Sequence, residues 1–164
     1  MDPSPLVIRR QSFAELDPVV AYRIWALRSE VFVVEQKAAY LDLDGRDLEP
    51  GTVHVWCAEK ATDPGAVGSG EDPGVPVGTL RVLDDEDVWR VGRVVTAAPH
   101  RGRGVAAAMV REVLALCSDR PVVLDAQSHL KDWYAGFGFV GTGAEYADED
   151  GIPHVPMRRE AGPA

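Results

Sequence analysis

Four residues, Arg101-Gly102-Arg103-Gly104, concentrate the chemistry this sequence can do. They follow a β-branched run, Val91 to Thr96, broken by Gly92 and Arg93. They precede an apolar pattern at helical spacing: Val105, Met109, Val110, Val113, Leu114 and Cys117. The first amides of a helix lack partners within it, and the helix dipole adds about half a positive charge at that end. Gly102 and Gly104 carry no Cβ to hold a ligand off the backbone, and Arg101 and Arg103 add planar donors. The implied chemistry is anion binding, with a diphosphate as the natural guest. Arginines at a helix start oppose its dipole, so two of them require a compensating anion.

Of two nucleotide motifs weighed at this turn, one fails and the other fits its spacing poorly. A Walker loop needs Gly-Lys-Ser/Thr, and Gly104 is followed by Val105-Ala106. The dinucleotide pattern G-x-G-x-x-G/A is met by Gly102, Gly104 and Ala107, with Asp125 at about the ~20-residue spacing of its ribose partner. In that motif, however, the first glycine follows its strand directly, and here Ala97 to Arg101 intervene.

The elements that position the turn are readable along the chain. Leu6 to Arg9 predicts a short first strand. Asp17-Pro18 marks a helix start, and Val20, Ile24, Leu27 and Val31 form a stripe that carries the helix to about Val34. The next segment holds Glu35, Asp42, Asp44, Asp47 and Glu49. If Asp42 opened a calcium loop, Gly45 would be fourth rather than sixth, which argues against calcium. Two readings stay open for it: a solvated acidic loop, or a carboxylate-lined wall of a substrate cleft. Val53 to Glu59 and Val77 to Leu83 are strands, and the Gly-, Pro- and Asp-rich stretch 60–76 between them reads as a flexible hairpin tip. Asp84 to Asp87 is a tight turn into the strand that starts at Val88, so these three strands form an antiparallel meander. After the helix, Asp119-Arg120-Pro121 breaks the chain. Val122 to Ala126 then returns parallel to the preceding strand by a right-handed crossover. His129 to Phe137 suits a short helix ended by Gly138, with terminal strands at Phe139 to Gly143 and Pro153 to Arg158.

Length and charge bound the function. At 164 residues the chain is expected to be one domain, residues 1–164. A net charge of −9 argues against nucleic acid, which wants a basic footprint, and suits cationic amines. Cys57 and Cys117 sit inside apolar patterns and read as buried thiols rather than a disulfide or a metal site. No signal peptide or membrane-length apolar run is present in the sequence, so the cytoplasm is the expected compartment.

A third pattern fits the basic turn. Arg101, Gly104 and Ala106 satisfy R/Q-x-x-G-x-G/A after a hydrophobic strand, and Tyr134 to Phe139 satisfies Y-x-x-x-G-F. Together with the order of elements, these resemble the GNAT acetyltransferases over essentially the whole chain. FVVEQ at Phe32 to Gln36, DLDGRD at Asp42 to Asp47, AQSHL at Ala126 to Leu130 and EDGIPHVPM at Glu149 to Met157 resemble the ElaA-type subgroup more narrowly. The resemblance implies an α/β (α+β) fold with a mixed, mostly antiparallel sheet, a splayed parallel strand pair and flanking helices. It implies acetyl-CoA as cosubstrate, no metal, and direct acetyl transfer to an amine of a small molecule or protein in a ternary complex. Main-chain atoms of Val94, Val95 and Thr96 would hold the pantetheine. Amides across Gly102, Arg103, Gly104, Val105, Ala106 and Ala107, with Arg101, would take the pyrophosphate. Tyr134 would face the thioester sulfur as general acid. Where many relatives carry Asn to touch the pantetheine, this chain has the longer Gln127. Some relatives place a glutamate base on the central strands, where this chain offers Arg93 and Asp125. Glu35, His129 and His154 are further candidates, His154 also as a substrate contact, and a water relay is the remaining option. A non-catalytic acyl-CoA-binding module is the alternative function. Strand edges near the termini offer a homodimer contact.

Overall fold

The computed structural model describes residues 5–59 and 74–162. An eight-stranded sheet runs through it. In chain order the strands are β1 (Leu6–Gln11), β2 (Val53–Glu59), β3 (Pro76–Asp85), β4 (Val88–Thr96), β5 (Val122–Gln127), β6 (Val140–Gly141), β7 (Tyr146–Ala147) and β8 (Pro153–Arg159). Their spatial order is β1-β2-β3-β4-β5-β8-β6, with β7 also on β8. All pairs are antiparallel except β4 with β5. Three helices flank the sheet: α1 (Pro18–Arg28), α2 (Val105–Leu116) and α3 (Lys131–Ala135). This is the mixed sheet with a parallel pair that the resemblance implied.

The sequence signals act locally as expected. The Asp17 side chain accepts from the Val19 amide at 2.8 Å, and Pro18 opens α1. Beyond Arg28 the chain continues helically through Ser29–Glu35 with the wider winding of a π-helix, so the turn ends near the expected Val34. Alternate residues of β2 serve opposite faces. Val55 and Cys57 pack in the cluster with Met109, Val110 and Val113 of α2. Trp56 and Ala58 pack in the cluster with Val20 and Ile24 of α1. Helices thus cover both faces, and each fully buried apolar side chain among these contributes about 1.5–3 kcal/mol.

Two irregularities in β4 open the centre of the sheet. Val95 pairs with Thr79 and Gly92 with Arg81, so Leu80 stands opposite two residues, Arg93 and Val94. This is a β-bulge, and Arg93 sits in it at φ +55°. Pairing of β4 with β5 is confined to Trp89↔Val122 and Arg90↔Val123, after which the parallel strands part.

Two local expectations change. The terminal strand after α3 spans only Val140–Gly141, and a further two-residue strand, Tyr146–Ala147, was not anticipated. The acidic segment is more than a solvated loop: Asp42, Asp44 and Asp47 pair with arginines of three different elements. Arg28 of α1 reaches Asp42 at 3.0 Å and Asp47 at 2.7 Å. Arg81 of β3 reaches Asp44 at 2.7 Å and Asp47 at 3.2 Å, and Arg93 of β4 reaches Asp42 at 2.7 Å. The hairpin tip expected at 60–76 lies, apart from 74–76, outside the described residues.

Candidate active site

The parting strands and the α2 N-terminus enclose two clefts that share a throat. One, of about 570 Å³, runs between the end of β4 and the start of α2. The other, of about 610 Å³, opens on the far side, between β4, β5 and the loop around Tyr146–His154. Gln36, Val94, Gln127, Leu130 and Tyr134 line both, so the clefts meet there.

The first cleft has the features of an anion site. The first intrahelical bond of α2 that closes back to the cap is Ala108 N to Gly104 O, at 2.9 Å. The amides of Val105, Ala106 and Ala107 therefore have no acceptor inside the helix. Gly102 and Gly104 have φ of +72° and +78°, and a Cβ on either would meet nothing within 4 Å. Their need is backbone conformation and open approach, not packing. Gly78 on β3 is the opposite case. A Cβ there would lie 2.5 Å from Val105 Cγ1, so its absence lets the α2 N-terminus rest against the sheet.

Val94, Val95, Thr96, Arg101, Gly102, Gly104, Val105, Ala106, Ala107, Gln127 and Tyr134, all expected at the cofactor, line this cleft. Arg103 stands apart from them: its guanidinium donates to Glu59 at 2.9 Å. Arg101 donates twice to Glu35, at 2.7 and 2.9 Å, and once to the Thr96 carbonyl. The anions that offset the two arginines are thus carboxylates of this chain. Glu35, a candidate base, lies on this cleft, and the Arg101 hydrogen bonds hold its carboxyl below the usual range.

Tyr134 comes from α3 and is 5% exposed at the throat. Trp133 and Phe139 meet its ring edge-on at 4.8 and 5.9 Å. Burial pushes its phenol up to about 12. Gln127 Nε2 donates to Gln36 Oε1 at 3.2 Å across the same throat. Gln36 was not singled out from the sequence, although it closes the FVVEQ segment; its neighbour across the throat is 91 residues away.

His154 lies on the second cleft, opposite Gln127 in the β5–β8 register. Its Nδ1 is 2.8 Å from the Ile152 carbonyl and 3.3 Å from Asp148 Oδ2. A nitrogen facing a carbonyl must carry the hydrogen, so in the neutral ring Nε2 is the acceptor. Tyr146 stacks on the ring at 6.0 Å. Burial, then the Asp125 carboxylate, pushes the Tyr146 phenol up to about 12. His129 lies on the first cleft, and Asp125 and Arg93 on the second.

Charge on the second cleft is unevenly compensated. Arg81 and Arg93 are tied to the Asp42–Asp47 segment, and Arg90 is 2.6 Å from Asp85. The turn Asp148-Glu149-Asp150 adds three carboxyl groups to the rim. In the sequence Glu149 and Asp150 stood out only as the start of the EDGIPHVPM motif, with no role for their carboxylates.

Known proteins resemble the chain in sequence and fold. Residues 67–161 match the model of the acetyltransferase (GNAT) domain family. A UPF0039 protein of Mycobacterium tuberculosis (strain H37Rv) is 41% identical over 157 residues, covering 93% of this chain and 92% of its own. The crystal structure of an acyl-CoA N-acyltransferase from Pseudomonas aeruginosa superposes with a TM-score of 0.81 at 34% identity, over 94% of this chain and 99% of that one. Escherichia coli ElaA superposes with a TM-score of 0.80 at 31% identity, over 95% of this chain and 100% of that one. With the fold and these relatives in agreement, the chain belongs to the GNAT family, as an acyltransferase of the ElaA-like group.

Proposed function

We propose that this chain, acting as one domain, transfers an acetyl group from acetyl-CoA to a primary amine by direct attack within a ternary complex. The observation that carries the reading is the meeting of two clefts at Tyr134, one with the unpaired amides of the α2 N-terminus on its wall and the other opening on the far side of the sheet. When bound, acetyl-CoA supplies an activated acyl group as a thioester.

The residues then divide the work. Free amides at Val105 to Ala107 and the Arg101 guanidinium hold the pyrophosphate. The Val94 to Thr96 edge, released from β5, pairs with the pantetheine as a strand would. The Val94 amide, beside the bulge, stabilises charge developing on the carbonyl oxygen. Tyr134 keeps its proton throughout the neutral range and delivers it to the departing thiolate. His154 accepts the proton from the amine through Nε2, directly or through water. Its Nδ1–H bond to Ile152 fixes the ring for that task. Glu35 serves as the partner of Arg101. The acidic turn Asp148–Asp150 favours a cationic acceptor.

Thiol release from acetyl-CoA, followed over a panel of small amines and lysine-containing peptides, tests this. Amine-dependent release is expected. CoA binding with no turnover on any acceptor would replace the proposal with an acyl-CoA-binding module.

A further inference from the structure

We propose that Arg93 is a positioning residue for the thioester site: its side chain, anchored on the Asp42–Asp47 segment, holds the β4 bulge in the conformation that aims the Val94 amide. This rests on the reading that the cleft at the α2 N-terminus takes acetyl-CoA.

The backbone poses the problem. Arg93 has φ +55°, a region that side chains other than glycine rarely adopt. Gly92 immediately before it would enter that region at no steric cost, yet it is not among the positive-φ residues. The chain has put the left-handed turn on the arginine and not on the adjacent glycine. Ease of turning does not account for that choice, whereas the surroundings of the side chain do.

Arg93 Nε lies 2.7 Å from Asp42 Oδ1, and its Nη2 donates to the Asp42 carbonyl at 3.1 Å and to Asp44 Oδ2 at 3.4 Å. The guanidinium lies over the Tyr40 ring, 5.0 Å from its centre. Both aspartates are themselves tied to the core. Arg28, 1% exposed, donates to the side chain and to the carbonyl of Asp42, at 3.0 and 2.9 Å. Arg81 holds both Asp44 oxygens, at 2.7 and 2.9 Å. An anchor of this kind over-determines a backbone conformation that is costly alone.

The consequence falls on the next peptide. A peptide unit is planar, so the dihedral angles at Arg93 fix the direction of the Val94 N–H. The bulge takes Arg93 and Val94 out of one-to-one pairing with Leu80, and Val94 lines both clefts. The carbonyl that differs between acetyl-CoA and CoA is what such an amide would meet.

The test compares the two ligands by calorimetry in wild type, Arg93→Gly, Arg93→Lys and Asp42→Asn, with thermal melts to confirm folding. Arg93→Gly accepts the φ without strain and keeps the fold testable if Asp42→Asn fails to fold. Wild type is expected to bind acetyl-CoA more tightly than CoA. In Arg93→Gly the affinity for CoA stays within about threefold, because the pyrophosphate contacts remain, while the preference for acetyl-CoA disappears. Arg93→Lys retains part of the preference, having the charge without the fork. A full preference in Arg93→Gly overturns the proposal, as does equal binding of the two ligands by wild type. Failure of wild type to bind either ligand is a different result: it removes the cofactor reading, and this proposal with it.

Discussion

Tyr134 and Glu35 show how different surroundings separate two titratable groups near one throat. Tyr134 is enclosed by aromatic rings and keeps its proton, with its phenol pushed up to about 12 by burial. Tyr134→Phe should lower turnover by about 10²–10⁴-fold, the range for loss of a general acid, with the Kd for CoA unchanged. An unaltered rate would take Tyr134 out of the chemistry. Glu35 is exposed and engaged by Arg101, so its charge occupies the guanidinium that a diphosphate would use. Glu35→Gln should therefore tighten CoA binding by a few-fold at low salt, with the gain shrinking as salt screens the pair. Calorimetry at two ionic strengths would read both effects, and weaker binding would show that Glu35 instead orients Arg101 for the ligand. The glycines and arginines of the turn announced their chemistry locally. The partners Glu35 and Glu59 did not, because they lie 66 and 44 residues from the arginines they meet.

At the scale of elements, α2 was the most legible part of the chain. Its apolar spacing named the buried face, with Val105, Met109, Val110, Val113 and Cys117 all buried and Leu114 only partly so. What the spacing did not reveal was how closely α2 approaches β3. At Gly78 a single added methyl group would overlap Val105, the first residue of the helix. Gly78→Ala should cost about 1–3 kcal/mol of stability by overpacking. It should also weaken CoA binding, because the displaced residue belongs to the amide row. Denaturant unfolding and a CoA titration on the same variant would separate the two; lost affinity at full stability would argue against the packing explanation. The segment from Asp42 to Asp47 was the least legible element. Acidic residues in a Gly-containing stretch look solvated, and nothing periodic marks the arginines of α1, β3 and β4 that receive them. Strand β7 was missed for a related reason: two residues carry no alternation, and only the register with β8 makes them a strand.

At the scale of the whole molecule, the arginine–aspartate network is where acid should act. Burial alone would raise the Asp44 carboxyl, but the Arg81 hydrogen bonds, the Arg46 amide and the charges of Arg81 and Arg93 outweigh it and bring it to about 2. Asp47 is lowered as well, with Arg28 and Arg81 outweighing its burial. Both groups bind protons more weakly folded than unfolded, where an aspartate titrates near ~3.9. For Asp44 the stabilisation is therefore complete above about pH 4 and is lost as pH falls toward about 2, and Asp47 contributes in the same direction. Unfolding midpoints in urea should hold steady down to about pH 4 and then drop, and Asp44→Asn should flatten that drop. A midpoint insensitive to acid would contradict the network's role.

The short seam between β4 and β5 has a mechanical corollary. With only two residue pairs joining them there, the leaves β1–β4 and β5–β8 share little main-chain bonding across the middle of the molecule. A guest lying in the gap would act as a rivet, bonded to one leaf and packed on the other. Amide exchange along Leu124 to Gln127, on the leaf the guest does not hydrogen-bond, should slow when CoA is added.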